Sequence, residues 1–183
     1  AVEPLQPAHM PYLFPEVFLR DRPGFDVLVG NPPWEEVMVE EPKFWLRVRP
    51  GLLGLKPAAL KAEIARLRVE RADLLPDLQR GIDAVTALRR VLLAGPYPGL
   101  GTGDVDLYQA FAWRFWHLLR EGGRLAFITP RSLMNAAGNA AWRAEVMPNA
   151  LTEVVSLTNS GKWAFENVDG RYSFVLSSLR RDR

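Results

Sequence analysis

A short apolar run that ends in glycine and is followed by two prolines constrains the fold of this chain most. Residues 25–30 (FDVLVG) are mostly apolar and rich in valine, which is typical of a buried strand in a parallel sheet. Pro32 and Pro33 follow at once, and neither can donate a backbone hydrogen bond to a neighbouring strand. The sequence therefore predicts a strand over 25–30 that presents Asn31-Pro32-Pro33-Trp34 at its carboxyl end.

Further apolar runs alternate with helical segments along the 183 residues, a length that suits one domain with a real core. Strands are predicted over 124–129, 151–157 and 171–179, and helices over about 105–120 and 137–147. Residues 57–93 have helical composition, which Pro76 and Gly81 are expected to split into two helices. This alternation predicts an α/β fold with a mostly parallel sheet, and segment 35–103 is predicted to be a mostly helical insert.

Composition excludes several classes of protein. The chain has no cysteine, which excludes a disulfide scaffold and a thiolate metal site and is compatible with a cytoplasmic location. No apolar run approaches the length of a membrane span, so no membrane partner is expected. His9 and His117 are isolated from each other and from clustered carboxylates, so no metal site is predicted.

Positive charge is concentrated between Lys43 and Arg90, where eleven basic residues face five acidic ones in a chain of net charge +2. A basic segment beside a near-neutral body can indicate a polyanion partner. The same composition also describes a solvated helix surface on which acidic and basic side chains form ion pairs. Charge alone favours the second interpretation, because such surfaces are common.

The Asn31-Pro32-Pro33-Trp34 turn has the groups needed to activate an amino group on an aromatic ring. Such a nitrogen is a poor nucleophile, and two acceptors on its N–H bonds favour the tetrahedral geometry and positive charge of methyl transfer. The Asn31 side-chain oxygen and the Pro32 carbonyl can be those acceptors, because the prolines fix the direction of the backbone. Trp34 offers a flat face for stacking a base. The alternative is that this segment is only a turn that ends the strand. Glu35 and Glu36 follow it, and such side chains are more often simply solvated than catalytic.

Two segments around this turn resemble a known family. FPEVF, then GFDVLVGNPPW, is similar to the DNA adenine methylase domain of type IIG restriction–modification and phage-defence enzymes. Downstream, Asp106–Phe111 (DLYQAF), LLREGGRLAFITPRSLMN and LTEVVSLTNSGKWAFENVDGRYSFVLSSL continue the likeness. The resemblance covers about 1–34 and 104–180, and it leaves 35–103 unmatched. It implies a partial doubly wound, Rossmann-like sheet of an S-adenosylmethionine-dependent methyltransferase, with adenine N6 in DNA as acceptor.

The resemblance also implies roles for individual residues. Asn31, Pro32, Pro33 and Trp34 would hold the amino group and ring of the target. Phe165 would close the other side of a base flipped out of the duplex, with Trp163 as a competing candidate. Asn31, Leu107 and Phe111 would border the cofactor. The i, i+4 spacing of Leu107 and Phe111 puts both on one helix face, although plain core packing explains that spacing equally well.

One departure from the family matters for the cofactor. The glycine-rich loop and the acidic ribose ligand of the family precede the catalytic strand, and residues 1–24 supply neither. Gly99–Gly103 (GLGTG) follows no predicted strand and is a weak nucleotide motif. The chain is therefore expected to hold the second half of the methyltransferase sheet within 1–183, with the cofactor-binding half elsewhere in a longer protein. The catalytic strand would then have an unpaired edge.

Other functions remain open at this level. The same turn chemistry suits cytosine N4, a guanine amino group in RNA or a glutamine amide in protein as acceptor. A non-catalytic nucleic-acid-binding module that retains the motif is a further alternative, which the missing cofactor half favours.

Overall fold

A computed structural model describes residues 8–182 of the chain. Its four strands are β1 Phe25–Gly30, β2 Leu119–Pro130, β3 Ala150–Thr158 and β4 Ser173–Arg181. The α-helices of the described residues are α1 Met10–Leu13, α2 Pro15–Phe18, α3 Glu41–Trp45, α4 Pro57–Glu70, α5 Leu75–Leu93, α6 Leu107–Leu118, α7 Ser132–Asn135 and α8 Ala140–Val146. Short 3-10 turns link several of them. The chain is thus a mixed α/β fold, as its sequence predicts.

The strands form one sheet in the order β1-β2-β4-β3. Strand β1 is parallel to β2, whereas β4 is antiparallel to both of its neighbours. The expectation of a mostly parallel sheet is therefore wrong. Between β3 and β4 the chain has only a 3-10 turn and irregular backbone, so it returns without the helical crossover that parallel neighbours require.

Element boundaries differ from the predicted ones at two places with clear causes. Helix α6 ends at Leu118 rather than near residue 120. Residues 119–123, which precede the predicted strand, already belong to β2, where the register against β1 shifts. In the insert, the helical segment breaks between Arg71 and Leu74 rather than at Pro76 and Gly81. Pro76 lies in the first turn of α5, where its missing N–H costs nothing, and Gly81 continues that helix.

The two faces of the sheet have different surroundings. On one face, Leu125, Phe127 and Leu179 are buried against the aromatic residues of α6 and α8. On the other face no described helix covers the strands: Val29 is 78% exposed, Val155 44% and Leu176 38%. A groove of about 590 Å³ runs across this open face and reaches Asn31. Strand β1 is also an edge strand, because β2 is its only neighbour within the described sheet.

The insert has a hydrophobic core of its own. Its centre is Trp45, Leu52, Leu67 and Leu78, each at most 5% exposed. The core of the sheet is a separate cluster that centres on three tryptophans, Trp113, Trp116 and Trp142. The molecule therefore combines a sheet body with a helical insert, and each part buries its own apolar side chains.

Candidate active site

The Asn31–Trp34 turn leaves the sheet at the carboxyl end of β1, where open α/β sheets bind their ligands. A short antiparallel pairing then ties the residues after the turn to the start of α6. The Val37 amide donates to the Val105 carbonyl at 2.8 Å, and the Leu107 amide donates to the Glu35 carbonyl at 3.0 Å. This pairing brings the Asn31–Trp34 turn close to the start of α6, although the whole insert separates the two in the sequence.

The turn and the β3–β4 loop border an open cavity of about 420 Å³. It is lined by Asn31, Pro32, Pro33, Trp34, Glu35 and Phe165. Four of these residues were predicted to bind the target amino group and ring, and Phe165 was predicted to close the opposite side. Trp163, the competing candidate, is 64% exposed and does not line this cavity. The chain thus brings the predicted substrate residues into one cavity.

The two predicted acceptors are available for hydrogen bonding. Within the described residues, the Asn31 side chain makes no hydrogen bond, and no N–H donates to the Pro32 carbonyl. Asn31 is exposed, whereas Pro32 is buried and holds the backbone firmly in place. The Trp34 indole Nε1 is buried without a hydrogen-bond partner. The exposed Asn31 side chain is free to bind a ligand in the cavity that it borders.

Aromatic rings pack around Trp34 from several sides. The Phe165 ring meets it edge to face with centroids 5.1 Å apart, and the Tyr172 ring stacks on it at 6.0 Å with an angle of 17° between the planes. The Phe174 ring packs against Phe165 at 5.1 Å. Offset and edge-to-face pairs of this kind hold rings in fixed orientations. Tyr172 is not identifiable from the sequence, because its contact with Trp34 joins segments far apart in the chain.

Acidic side chains gather beside the turn at the start of α6. Burial raises the pKa of the Asp106 carboxyl, and the nearby carboxylates of Glu36 and Asp104 raise it further. Burial likewise raises the pKa of the Tyr172 phenol, so this ring keeps its proton at neutral pH. Within residues 8–182 no group of three histidine, aspartate or glutamate side chains is arranged to hold a metal ion.

Leu107 and Phe111 lie on α6, with their side chains partly open to solvent. Leu107 is half-buried, and Phe111 is 36% exposed in a helix whose other aromatic residues include the buried Trp113 and Trp116. Phe111 contacts Phe115 edge to face at 5.7 Å, and Phe115 in turn lies against Gly30 at the end of β1. The pair is therefore an apolar surface near the Asn31–Trp34 turn rather than part of the sealed core.

The glycines of the 99–103 loop are explained by backbone packing. A Cβ atom on Gly99 would lie 2.8 Å from the Gly138 carbonyl oxygen, and one on Gly138 would lie 2.7 Å from the Thr102 carbonyl oxygen. Gly99 also has a positive φ of 85°, which favours glycine. The loop follows α5 and leads into α6, so it lacks the strand–loop–helix setting of a nucleotide-binding motif.

The basic insert carries many ion pairs. Six of its eleven basic side chains are paired with carboxylates: Lys43, Arg49, Arg66, Arg68, Arg71 and Arg80. The ion pair between Arg68 and Glu41 is also connected to the core of the insert, because Glu41 accepts hydrogen bonds from both Arg68 and the Trp45 indole. The hydrogen bond from Arg68 holds the pKa of Glu41 below its usual range. This arrangement agrees with the ion-paired helix surface that charge alone favoured.

Comparison with known proteins identifies part of the chain. Residues 86–162 match the family model described as Eco57I restriction-modification methylase. The matched segment runs from α5 through α6, β2 and α8 to the start of the β3–β4 loop, and Asn31–Trp34 lies outside it. No curated protein matches the chain. No helix among residues 8–182 is long and apolar enough to cross a membrane. Residues 86–162 are therefore similar to the Eco57I restriction-modification methylases, and the mixed α/β sheet is compatible with part of a Rossmann-like methyltransferase fold.

Proposed function

We propose that this chain carries the substrate-binding half of a DNA methyltransferase that modifies the N6 amino group of adenine, in restriction–modification or phage defence. The observation that carries the proposal is the cavity of about 420 Å³ in which the unpaired Asn31 amide and Pro32 carbonyl lie beside Trp34 and Phe165. The family match supports DNA methylation as the reaction class. The absence of cysteine from the chain is compatible with the cytoplasm as its location.

Different residues of the cavity contact the amino group and the ring of the substrate. The Asn31 Oδ1 and the Pro32 carbonyl oxygen accept the two N–H bonds of the amino group, which draws its lone pair out of conjugation with the ring. The Trp34 and Phe165 rings, which meet edge to face, form one aromatic wall of the cavity against which the base stacks, and stacking contributes about 1–3 kcal/mol per base. The base must first leave the duplex, because a cavity lined by two aromatic rings cannot reach a stacked and paired amino group.

S-adenosylmethionine is the methyl donor that this family implies, and when bound it supplies an electrophilic methyl group. The described residues fit the apolar part of such a cofactor: Leu107 and Phe111 form a partly open apolar surface on α6. Together with Asn31 they would border it on the side of the adenine ring. We propose that the glycine-rich loop and the ribose ligand come from a further part of the methyltransferase. The unpaired edge of β1 and the uncovered face of the sheet support this proposal.

The acceptor is tested by following a labelled methyl group. The full-length protein is incubated with labelled S-adenosylmethionine and, separately, with DNA, RNA and a protein extract, and the products are digested and separated. We expect the label in N6-methyladenine from DNA. Label in N4-methylcytosine, methylguanine or methylglutamine would assign one of the other acceptors, and no label together with DNA binding would indicate a non-catalytic module.

A further inference from the structure

We propose that Asn159 is a positioning residue that holds Phe165 across the cavity from Asn31. This inference rests on the proposed function, because it concerns the same cavity. Asn159 is the residue that follows β3, and it is fully buried at 0% exposure although it lies beside an exposed loop. A buried amide in such a place requires a full set of partners.

Both the Nδ2 and the Oδ1 of the Asn159 side chain form hydrogen bonds within the loop that carries Phe165. Its Nδ2 donates to the carbonyl oxygens of Phe165 at 2.8 Å and Val168 at 3.1 Å. Its Oδ1 accepts from the backbone amides of Ala164 at 3.2 Å and Phe165 at 3.1 Å. Both backbone groups of Phe165 are therefore bonded to one side chain, which fixes where the ring leaves the backbone.

The backbone around Asn159 closes the loop on the sheet. Its amide donates to the Tyr172 carbonyl at 2.9 Å, and its carbonyl accepts from the Lys162 amide at 2.7 Å. Gly161 and Lys162 both have positive φ values, 67° and 61°, so the chain reverses sharply there. Asn159 thus connects the two ends of the loop, and the rings that it places, Phe165 and Tyr172, are two of the three that pack on Trp34.

Asn159→Asp tests this role, because a carboxylate keeps the acceptor and removes both donors to the carbonyls of Phe165 and Val168. The matched control is Asn139→Asp. Asn139 is also buried, its Nδ2 donates to the Tyr108 hydroxyl and the Ser132 carbonyl, and it does not line the cavity. The assay uses the full-length protein and a duplex with 2-aminopurine at the target position, whose fluorescence reports how the flipped base stacks.

We expect Asn159→Asp to weaken stacking of the probe and to raise KM for DNA roughly tenfold, as loss of one base–aromatic contact does. Amide hydrogen exchange should quicken at residues 160–172 and stay unchanged in β2. The control should leave the probe signal at the wild-type level. In a Phe165→Ala background, Asn159→Asp should have no additional effect on the probe, because the two residues act through one contact.

Additive effects of Asn159→Asp and Phe165→Ala on the probe would overturn the proposal. Equal effects of Asn159→Asp and Asn139→Asp on the probe would also overturn it. If Asn159→Asp does not fold, Asn159→Ser, which keeps one donor and one acceptor, is measured in the same way. Failure of the proposed function is distinguishable, because the hydrogen-exchange result depends only on the loop. Quicker exchange at 160–172 in an enzyme that methylates another acceptor would support the positioning role and reject adenine.

Discussion

The sheet body and the helical insert use their polar side chains in opposite ways. In the insert, carboxylates and guanidinium groups pair with one another, as Glu63 does with both Arg49 and Arg66. In the sheet body, the Asn31 amide, the Pro32 carbonyl and the Trp34 indole have no partner among the described residues. The difference indicates where a ligand is expected: these three groups without partners lie together in the Asn31–Trp34 turn, whereas six of the eleven basic side chains of the insert are paired with carboxylates.

Replacing one buried tryptophan in the sheet body and one in the insert tests whether the two parts have separate cores. These substitutions should have the largest effects on stability. Trp142→Ala is expected to lower the free energy of unfolding by about 3–5 kcal/mol, because it empties the core beneath the sheet. Trp45→Ala should instead loosen residues 41–93 and leave the amides of β2 protected. Hydrogen exchange distinguishes the two outcomes. Equal loss of protection in β2 from both substitutions would show that the parts unfold as one unit.

Phe111→Ala tests the apolar surface of α6. Removing a partly exposed ring should cost little stability, but it should weaken binding of S-adenosylmethionine to the full-length protein by roughly tenfold, or about 1.4 kcal/mol. Calorimetric titration measures this affinity. Val91→Ala is a matched control, because Val91 is a similarly exposed apolar residue on α5 in the insert. Unchanged affinity in Phe111→Ala would remove this residue from the cofactor site.

The ion pairs of the insert should contribute little by themselves. Arg66→Gln breaks pairs with Glu63 and Glu70; Arg66 and Glu70 are exposed, and the half-buried Glu63 keeps its pair with Arg49. We expect the free energy of unfolding to change by less than about 1 kcal/mol. We also expect the salt dependence of DNA binding to stay as it is, because a neutralised arginine releases few counterions from DNA. A clear decrease in the salt slope would show that Arg66 contacts phosphate.

Acid should weaken the insert through Glu41. The pKa of this carboxyl is lowered by its hydrogen bonds to Arg68 and Trp45, so its contribution to stability is present above its ordinary value of 4.5 and disappears as the pH falls through the lowered value. Glu41→Gln should therefore destabilise the protein slightly at pH 7 and less at pH 3. Urea unfolding at the two pH values measures the difference, and a constant difference would contradict this assignment.

Local features of the sequence were sufficient to predict β1, the turn that follows it and the four longest helices, α4, α5, α6 and α8. The run over 25–30 is apolar and ends in glycine and prolines, so its boundaries follow from its own residues. The position of β4 between β2 and β3 was not predictable in this way, because pairing across the sheet depends on distant segments. Tyr172 and Asn159 were missed for the same reason. One signal for Asn159 existed: an asparagine that directly follows a strand and lies two residues before a glycine is typical of a structured turn.

The central claim is that Asn31 accepts a hydrogen bond from the amino group that is methylated. The most direct test is the rate of methyl transfer to DNA by the full-length Asn31→Ala protein at saturating substrate, with Asn135→Ala, an exposed asparagine on α7, as control. We predict a decrease in kcat of at least about 100-fold, the effect of removing one preorganised polar group from a reaction centre, with DNA affinity and the control unchanged. An Asn31→Ala protein that methylates DNA at the wild-type rate would contradict the account.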